Sequence, residues 1–325
     1  MNQSYVHITG DSGHRAEYQA LFMLIFGFEP SQGPISGAVR RQLINANQLL
    51  FATIDDDLRG YFFVALFRSF SGRKTVGVYL RPQSCLAKGL KPFIKVTLFR
   101  LLRCLPKITT LSSIPFDLLD GQQKIVSGWL HDPQLWDIVD ASEHPDPTTT
   151  DTVRTLSEGR KVLAFLGHIS TVKGFSLLAA MIMHRPSLAQ QYCIIVAGPL
   201  ESECREQVNQ LTQFGVTVWP RRLEEAEMAA IYAEADLIWA CYNPSYDQAS
   251  GIFGRAIQRH RMVVVRQGAT ITKYADILGH PYIALPYDPI MAAEKLAGAN
   301  IVSVDRTEIL EDWRMQSIAK IRSAL

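Results

Sequence analysis

Short runs of β-branched and aromatic residues alternate with longer segments of helical periodicity along most of this chain. The alternation is typical of parallel sheets covered by helices on both faces. In the second half it predicts strands at 161–166, 192–197, 216–219, 237–240, 262–265 and 283–285. It predicts helices at 174–183, 201–214, 224–233, 254–260, 271–278, 289–297 and 306–325. Such consecutive βα units predict a doubly wound sheet, whose ligands lie beyond the carboxyl ends of the strands.

The first half has the same alternation with weaker signals. It predicts strands at 5–9, 49–54, 75–80, 108–111 and 124–127, and helices at 15–26 and 88–105. Residues 141–151 are polar, contain two prolines and three threonines, and have no periodicity, which predicts a linker. We therefore expect two Rossmann-like domains, one over residues 1–145 and one over residues 152–325.

Composition fits two globular domains. The 325 residues are 47% apolar and 20% charged, with a formal net charge of +2, so the whole chain has no general attraction to an acidic partner. The five cysteines are widely spaced, which favours reduced thiols in a cytoplasmic protein over disulfides or a metal site. The first residues lack signal-peptide features, and no apolar run is long enough to predict a membrane span.

Two glycine turns in the second half follow predicted strands. The first, GHISTVKG at residues 167–174, opens a helix, where N–H groups and the positive end of the helix dipole favour an anion. Lys173 adds a charge that suits a phosphate, the alternative being an ordinary solvated lysine. The second turn, at Gly198 in IIVAGP, either faces a ligand or is a plain connection from strand to helix.

A third segment is more specific. MAAIYAEADLIWA, at residues 228–240, predicts a helix and then a strand, and the loop YNPSYDQASGIFGRAIQRHRMVVV follows at residues 242–265. The order of the three signals resembles the nucleotide-binding domain of family 4-type (GT-B) glycosyltransferases over about residues 160–300. The resemblance implies an α/β, GT-B architecture of two Rossmann-like doubly wound domains facing a cleft. It also implies retaining transfer of a sugar from a nucleoside diphosphate sugar to a saccharide, without a metal or any cofactor beyond that co-substrate.

The resemblance also assigns residues to the site. The donor-binding positions are Gly167, His168, Lys173, Gly198, Gly251, Phe253, Gly254 and Arg255. His168 stands where the family has arginine, and Asp247 occupies the first acidic position, which makes it a catalytic candidate. Arg255 replaces a glutamate that accepts hydrogen bonds from ribose in the family, and a guanidinium can only donate. Arg255 could instead bind a phosphate or a sugar carboxylate, pair with an acid such as Asp247 or Asp276, or mark a loss of activity.

The candidate residues of the first half follow predicted strands. Gly10 and Gly13 delimit a turn where the resemblance implies a glycine-rich loop between donor and acceptor. His14 is a second catalytic candidate, which either contacts the donor sugar or leaving phosphate or is a surface residue. Arg81 could bind a phosphate or an anionic acceptor. The carboxylates at 55–57 are either an acid–base group with a raised pKa or a solvated helix N-terminus.

Residues 58–116 carry a one-sided charge, with no acidic residue and these basic ones: Arg59, Arg68, Arg73, Lys74, Arg81, Lys88, Lys91, Lys95, Arg100, Arg103 and Lys107. On a helical wheel of residues 88–105, leucines with Phe93 and Ile94 form an apolar face. The basic residues lie opposite, with Phe99 and Leu102 expected to be exposed among them. Such a face suits an anionic membrane surface and hence a lipid-linked acceptor. The alternative is a solvated basic face, and no motif supports nucleic-acid binding.

The leading hypothesis is a glycosyltransferase of polysaccharide or glycoconjugate synthesis that works at the inner face of a membrane. Two alternatives stay open. A GT-B-fold sugar-nucleotide epimerase would share the phosphate site but lack affinity for membranes. A non-catalytic GT-B homologue would have kept the fold and changed its nucleotide site at Arg255.

Overall fold

The chain folds into two α/β units, each built on a six-stranded sheet. The computed structural model describes residues 3–11, 15–86, 89–136, 144–247, 250–302 and 304–325. Unit 1 comprises Met1–Asp137 and Glu308–Leu325, and unit 2 comprises Ile138–Thr307. The strand pairings described in both sheets are parallel, which confirms the predicted α/β class. Within the described ranges, no helix is both long and apolar enough to cross a membrane.

Unit 1 orders its strands β2-β1-β3-β4-β5-β6. The strands are β1 (Tyr5–Ile8), β2 (Glu29–Gln32), β3 (Leu49–Phe51), β4 (Thr75–Tyr79), β5 (Ile108–Ser112) and β6 (Gly128–Trp129). The helices between them are α1 (Arg15–Phe26), α2 (Gly37–Asn45), α3 (Leu58–Phe70), α4 (Gln83–Leu86), α5 (Leu90–Cys104) and α6 (Pro133–Trp136). The order reverses direction between β1 and β3, which places a topological switch point there.

Unit 2 orders its strands β12-β11-β10-β7-β8-β9. The strands are β7 (Lys161–Leu166), β8 (Tyr192–Ala197), β9 (Thr217–Trp219), β10 (Leu237–Ala240), β11 (Met262–Arg266) and β12 (Tyr282–Leu285). The helices are α7 (Pro147–Ser157), α8 (Phe175–His184), α9 (Ser187–Gln191), α10 (Arg205–Gln213), α11 (Glu225–Glu234), α12 (Gly251–Gln258), α13 (Thr270–Ile277) and α14 (Pro289–Ala297). The switch point of this sheet lies between β7 and β10.

The central strands of unit 2 match the predicted ranges to the residue. All residues of β8 and β10 are buried, as are those of β7 after Lys161. Strands covered by helices on both faces must be apolar throughout, so the sequence contains them as continuous hydrophobic runs. A strand at the edge of a sheet is not covered in this way and need not be apolar, so the edge strand of unit 1 is harder to predict.

In unit 1 one strand was not predicted and another lies at a different place from its prediction, while β1, β3, β4 and β5 differ only in their bounds. The edge strand β2 has the polar sequence EPSQ, in which only Ser31 is buried, so the hydrophobic pattern does not indicate it. The last strand is β6 rather than residues 124–127. Ile125 and Val126 are buried in the core, but they belong to the segment that leads into β6 and do not pair in the sheet. Their hydrophobicity therefore reflects packing and not strand formation.

Residues 147–151, predicted as linker, are the first turns of α7. The Asp146 carboxylate accepts a hydrogen bond from the Thr149 amide at 2.7 Å, and Pro147 occupies the first helical position. An aspartate followed by proline is a helix start, because the carboxylate caps a free N–H and proline has no N–H to leave unpaired. Residues 141–143 of the predicted linker lie outside the described residues.

The C-terminal helix α15 (Thr307–Ala324) packs on unit 1, whereas the pattern assigned it to the second domain. Ile318 and Ile321 join the cluster around Phe22 on one face of the first sheet. His131, which follows β6, stacks on Trp313 of α15 with ring centroids 4.7 Å apart. A helical pattern alone does not reveal which sheet a terminal helix covers, so the boundary at residue 308 is visible only in the fold.

We expect acid to weaken the contact between His131 and α15. Burial lowers the pKa of His131 from 6.5 to about 4, and Lys320 lowers it further while Asp312 opposes the shift. Since the unfolded chain binds the proton first, stability is lost as the pH falls from about 6.5 towards 4, by up to about 3 kcal/mol before screening by solvent reduces it. Urea denaturation at neutral and acid pH would measure the loss. His131→Phe keeps the ring but takes no proton, so an equally steep pH dependence in this variant would contradict the prediction.

Candidate functional site

The switch point of unit 2 brings two loops together. β7 and β10 are neighbours in the sheet, and their carboxyl ends continue into the loops 167–174 and 241–250. The loops are joined where the Asn243 amide donates to the Val172 carbonyl at 3.2 Å. The glycine turn at the start of α8 and the loop before α12 therefore meet where a doubly wound sheet binds its ligand.

Two glycines let the backbone pack closely at this junction. At Gly174, with φ of +80°, a Cβ would lie 2.0 Å from the carbonyl oxygen of Cys241. At Gly198, with φ of +148°, it would lie 1.8 Å from the carbonyl oxygen of Gly167. No side chain tolerates such distances to backbone atoms, and both φ values favour glycine. The loops after β7, β8 and β10 are therefore in direct contact through their backbones.

Helix α8 begins at this junction without a side-chain cap, since its N-cap residue is Gly174. The first N–H groups of a helix have no partner within the helix and carry the positive end of its dipole. Lys173 stands directly before them, with its Nζ 4.1 Å from the ring centroid of Tyr246 and 4.8 Å from that of Tyr242. The ammonium group and the helix dipole thus concentrate positive potential at one point.

An aromatic cluster of Tyr242, Tyr246 and Trp239 lies at the junction, and its two tyrosine rings contact Lys173. The hydroxyl of Tyr242 is buried and lies 2.6 Å from Ser250 Oγ, and its ring meets the Tyr246 ring edge-on at 5.5 Å. Trp239 of β10 is buried, and its Nε1 has no hydrogen-bond partner among the residues that the structure describes. Ring faces attract cations, so the tyrosines hold the lysine side chain in place.

Asp247, the predicted catalytic residue of this domain, anchors the loop to α13. Its carboxylate accepts hydrogen bonds from the Thr270 amide at 2.8 Å and the Thr270 hydroxyl at 3.1 Å. It also lies 3.2 Å from a guanidinium nitrogen of Arg266. Thr270 is the first residue of α13, so Asp247 serves that helix as an N-terminal acid.

Arg255 pairs with Glu225 of α11, with 2.6 Å between nitrogen and oxygen. Of the alternatives for Arg255, the structure shows an acidic partner, which is Glu225 rather than Asp247 or Asp276. Asp247 pairs with Arg266, and Asp276 accepts from Tyr282. The other donor-binding candidates of this segment lie at the start of α12, which begins at Gly251 and not at 254. Phe253 and Gly254 are buried there, and His168 is exposed after Gly167.

Solved structures resemble this chain over almost its full length. Anabaena Alr3699/HepE in complex with UDP and glucose has a TM-score of 0.55 at 12% identity, covering 98% of this chain and 93% of HepE. Its complex with UDP-glucose has a TM-score of 0.55 at 14% identity and covers both chains fully. Sucrose-phosphate synthase of Thermosynechococcus elongatus has a TM-score of 0.57 at 10% identity, covering 98% of this chain and 92% of that one.

The chain has the GT-B fold. At these identities the likeness concerns the fold and the order of its elements. The resemblance noted in the sequence likewise rests on the order of three segments. No family model matches the sequence, and no curated protein matches it either.

In the N-terminal unit of this GT-B fold, the switch point between β1 and β3 carries the three carboxylates. Asp55 is largely buried and accepts hydrogen bonds from the Leu80 amide and the Thr53 hydroxyl, each at 2.9 Å. Burial raises its pKa, which is the direction of the first alternative for this cluster, but the cause is desolvation rather than repulsion between the carboxylates. Asp57 caps α3 by accepting from the Gly60 amide at 2.8 Å, which is the predicted helix N-terminus.

The remaining candidates of unit 1 lie around this edge. Asp56 forms an ion pair with Arg15, the first residue of α1, at 2.5 Å. Gly10 follows β1, and Arg81 is exposed shortly after β4. Gly13 and His14 lie outside the described residues. Among the residues that the structure describes, no group of three or more His, Cys, Asp or Glu could hold a metal ion.

Sequence reasoning missed the aromatic cluster of unit 2. Tyr242 and Tyr246 are four residues apart in a loop without periodicity, and Trp239 is one apolar residue among others in a strand. Only the close approach of α8 to β10, at Gly174, brings Lys173 onto the rings. A lysine followed by glycine, with tyrosines after a later strand, is a weak signal that could have indicated the contact.

Proposed function

We propose that this chain is a glycosyltransferase that binds a nucleoside diphosphate sugar at the switch point of unit 2 and transfers the sugar to a saccharide acceptor. The observation that carries the proposal is the start of α8, where Lys173 directly precedes a helix N-terminus that has no side-chain cap. Backbone N–H groups at a helix N-terminus bind phosphate oxygens, and a lysine beside them neutralises part of the charge. Two adjacent phosphates suit this arrangement better than an uncharged ligand.

The leaving group of the reaction is the nucleoside diphosphate, on which negative charge develops as the glycosidic bond breaks. Lys173 and the N-terminus of α8 stabilise that charge because they are fixed before the reaction begins. The start of α12, whose N-cap residue Ser250 provides no side-chain cap, supplies further N–H groups. We assign Asp247 and Arg255 to positioning these elements, since their side chains hold α13 and α11 respectively. The catalytic role of His14 stays a prediction.

UDP is the first nucleotide to test, because Alr3699/HepE has been crystallised with UDP and with UDP-glucose. Calorimetry with UDP, GDP, ADP, CMP and their sugar conjugates should give one class of ligand that binds. Lys173→Met retains the aliphatic stem over the tyrosines and removes the charge, so affinity for that ligand should fall about 10- to 100-fold.

Lys295→Met is the matched control, since Lys295 is an exposed lysine on α14 of the same unit. It should bind the nucleotide as the unmodified protein does. The proposal fails if no nucleotide binds, or if Lys173→Met and Lys295→Met bind equally well.

A non-catalytic nucleotide-binding protein is the second candidate. It is favoured by Arg255, which pairs with Glu225 and stands where the resemblance implies a glutamate that binds ribose, and by Asp247, which pairs with Arg266. Nucleotide binding is common to both candidates, so the donor-consuming reaction separates them. Release of UDP from UDP-glucose, with or without an acceptor, supports the transferase, whereas tight binding without release supports the second candidate.

A further inference from the structure

Helix α5 of unit 1 is amphipathic, but its apolar face is turned to solvent. Phe99 and Leu102, expected to be exposed among basic residues, are 0% and 5% exposed and pack in the core. The opposite side chains are the exposed ones, with Leu90 at 74% and Phe93 at 66%, followed by Leu101, Ile94 and Leu98. The predicted orientation is therefore wrong. A water-facing stripe of large apolar side chains on a helix indicates a binding surface.

Helix α3 lies beside α5 and also exposes large apolar side chains. The two helices touch where the rings of Phe62 and Phe99 meet at 4.8 Å. On its outer side α3 exposes Phe63, Phe67 and Phe70, the last of them to 78%. We define the apolar surface as these three phenylalanines together with the exposed apolar residues of α5.

Basic residues border the apolar surface. At about 100° per residue, Lys91 and Arg100 fall on the two edges of the exposed face of α5. The Arg40 guanidinium of α2 lies 4.8 Å from the centre of the Phe63 ring. Arg68, counted in the basic stretch, is buried and does not contribute. No acidic residue occurs between residues 58 and 116, so the charged residues of α3 and α5 are all basic.

We propose that the apolar surface binds the headgroup region of a membrane rich in anionic lipids. A helix that lies in the plane of a membrane buries its apolar face at the acyl boundary and keeps lysine and arginine at the level of the phosphates. Here α3 and α5 present such a face together, with cations at its borders. Each cation near an anionic bilayer strengthens binding roughly fivefold. The basic residues at the borders and the apolar side chains between them therefore both contribute to the affinity.

Charge also distinguishes a membrane from a second copy of the chain as the occupant. A twofold contact through this surface would place the same patch on both copies. The basic residues of one copy would then face those of the other, and residues 58–116 contain no acidic side chain to neutralise them. An anionic bilayer supplies the opposite charge over the whole face. The inference does not depend on the proposed reaction, so Lys173→Met should bind membranes as the unmodified protein does.

The test is sedimentation with vesicles of phosphatidylcholine alone and of an equal mixture with phosphatidylglycerol. The unmodified chain should bind the anionic vesicles and not the neutral ones, with weaker binding at high salt. Lys91→Glu with Arg100→Glu should reduce the affinity about tenfold or more. Phe70→Ser with Phe93→Ser should reduce it similarly. All four side chains are exposed, so the variants should keep the melting temperature of the unmodified chain.

The matched controls are Lys295→Glu, a charge reversal on α14, and Leu24→Ser, which removes an exposed apolar side chain from α1. Both should bind vesicles normally. Equal binding to neutral and anionic vesicles would overturn the proposal, as would normal binding by the α5 and α3 variants. Concentration-dependent dimers that Phe70→Ser with Phe93→Ser abolishes would assign the surface to self-association instead.

Cys104 offers an independent measurement. It is exposed near the end of α5, whereas the other four cysteines are buried. A polarity-sensitive fluorophore attached to Cys104 should shift its emission to the blue when anionic vesicles are added. An unchanged spectrum under conditions in which the protein sediments with the vesicles would mean that another surface binds them.

Discussion

Gly174→Ala should cost about 3 kcal/mol or more of unfolding free energy and abolish nucleotide binding. The added Cβ would lie 2.0 Å from the carbonyl oxygen of Cys241, and the backbone has a φ of +80°. Relief of the clash requires α8 to move away from β10. That movement separates Lys173 from Tyr242 and Tyr246 and displaces the helix N-terminus. Urea denaturation and calorimetry with the preferred nucleotide measure the two effects.

Gly215→Ala is the control for backbone strain in the same unit. Gly215 has nearly the same conformation, with φ of +85°, but a Cβ there would meet nothing within 4 Å. It should therefore cost only about 1 kcal/mol, the usual penalty for alanine in the left-handed region, and leave nucleotide affinity unchanged. Similar costs for the two variants would mean that strain and not the close approach to Cys241 determines the effect, and would contradict the account of the junction.

The sequence was most informative where a single physical constraint acts on neighbouring residues. β7, β8 and β10 could be predicted to the residue because strands buried on both faces must be apolar throughout. Gly174 and Gly198 could be singled out because a turn between a strand and a helix favours glycine. The sequence could not show that a neighbouring loop leaves no room for a Cβ at either position. The carbonyl oxygens that would clash belong to Cys241 and Gly167, which come close only in the fold.

The remaining features depend on contacts between distant segments. A helical wheel of α5 separates an apolar from a basic face, but it does not tell which one a neighbouring layer covers. In the fold, Phe62 of α3 and the core around Phe99 cover the side that carries fewer apolar residues. The partners of Asp247 and Arg255 were likewise unpredictable, since Arg266 and Glu225 approach them only after the sheet has formed.

Arg68 is a further case in which the fold changes the meaning of a residue. It is 0% exposed, although the sequence places it in a stretch of surface cations. Its guanidinium donates to Thr75 Oγ1 at 2.9 Å and to the carbonyl oxygens of Leu43, Ile44, Ala46, Asn47 and Lys74. Burial, with a smaller effect of Arg73, lowers its pKa to about 10, so the group stays protonated at neutral pH. One side chain thereby joins α3 to the α2–β3 connection and to β4.

Arg68→Met should destabilise the protein by about 3–5 kcal/mol, because it leaves several buried carbonyls without a donor. Arg68→Lys should recover only part of the loss, since an ammonium group cannot reach acceptors on both sides as the planar fork does. Arg59→Met, at an exposed position of α3, should change stability by less than about 0.5 kcal/mol. Urea denaturation of the three variants measures these differences. An equally small loss of unfolding free energy in Arg68→Met and Arg59→Met would contradict this account. It would mean that water can replace the guanidinium and that the connection before β3 does not depend on this side chain.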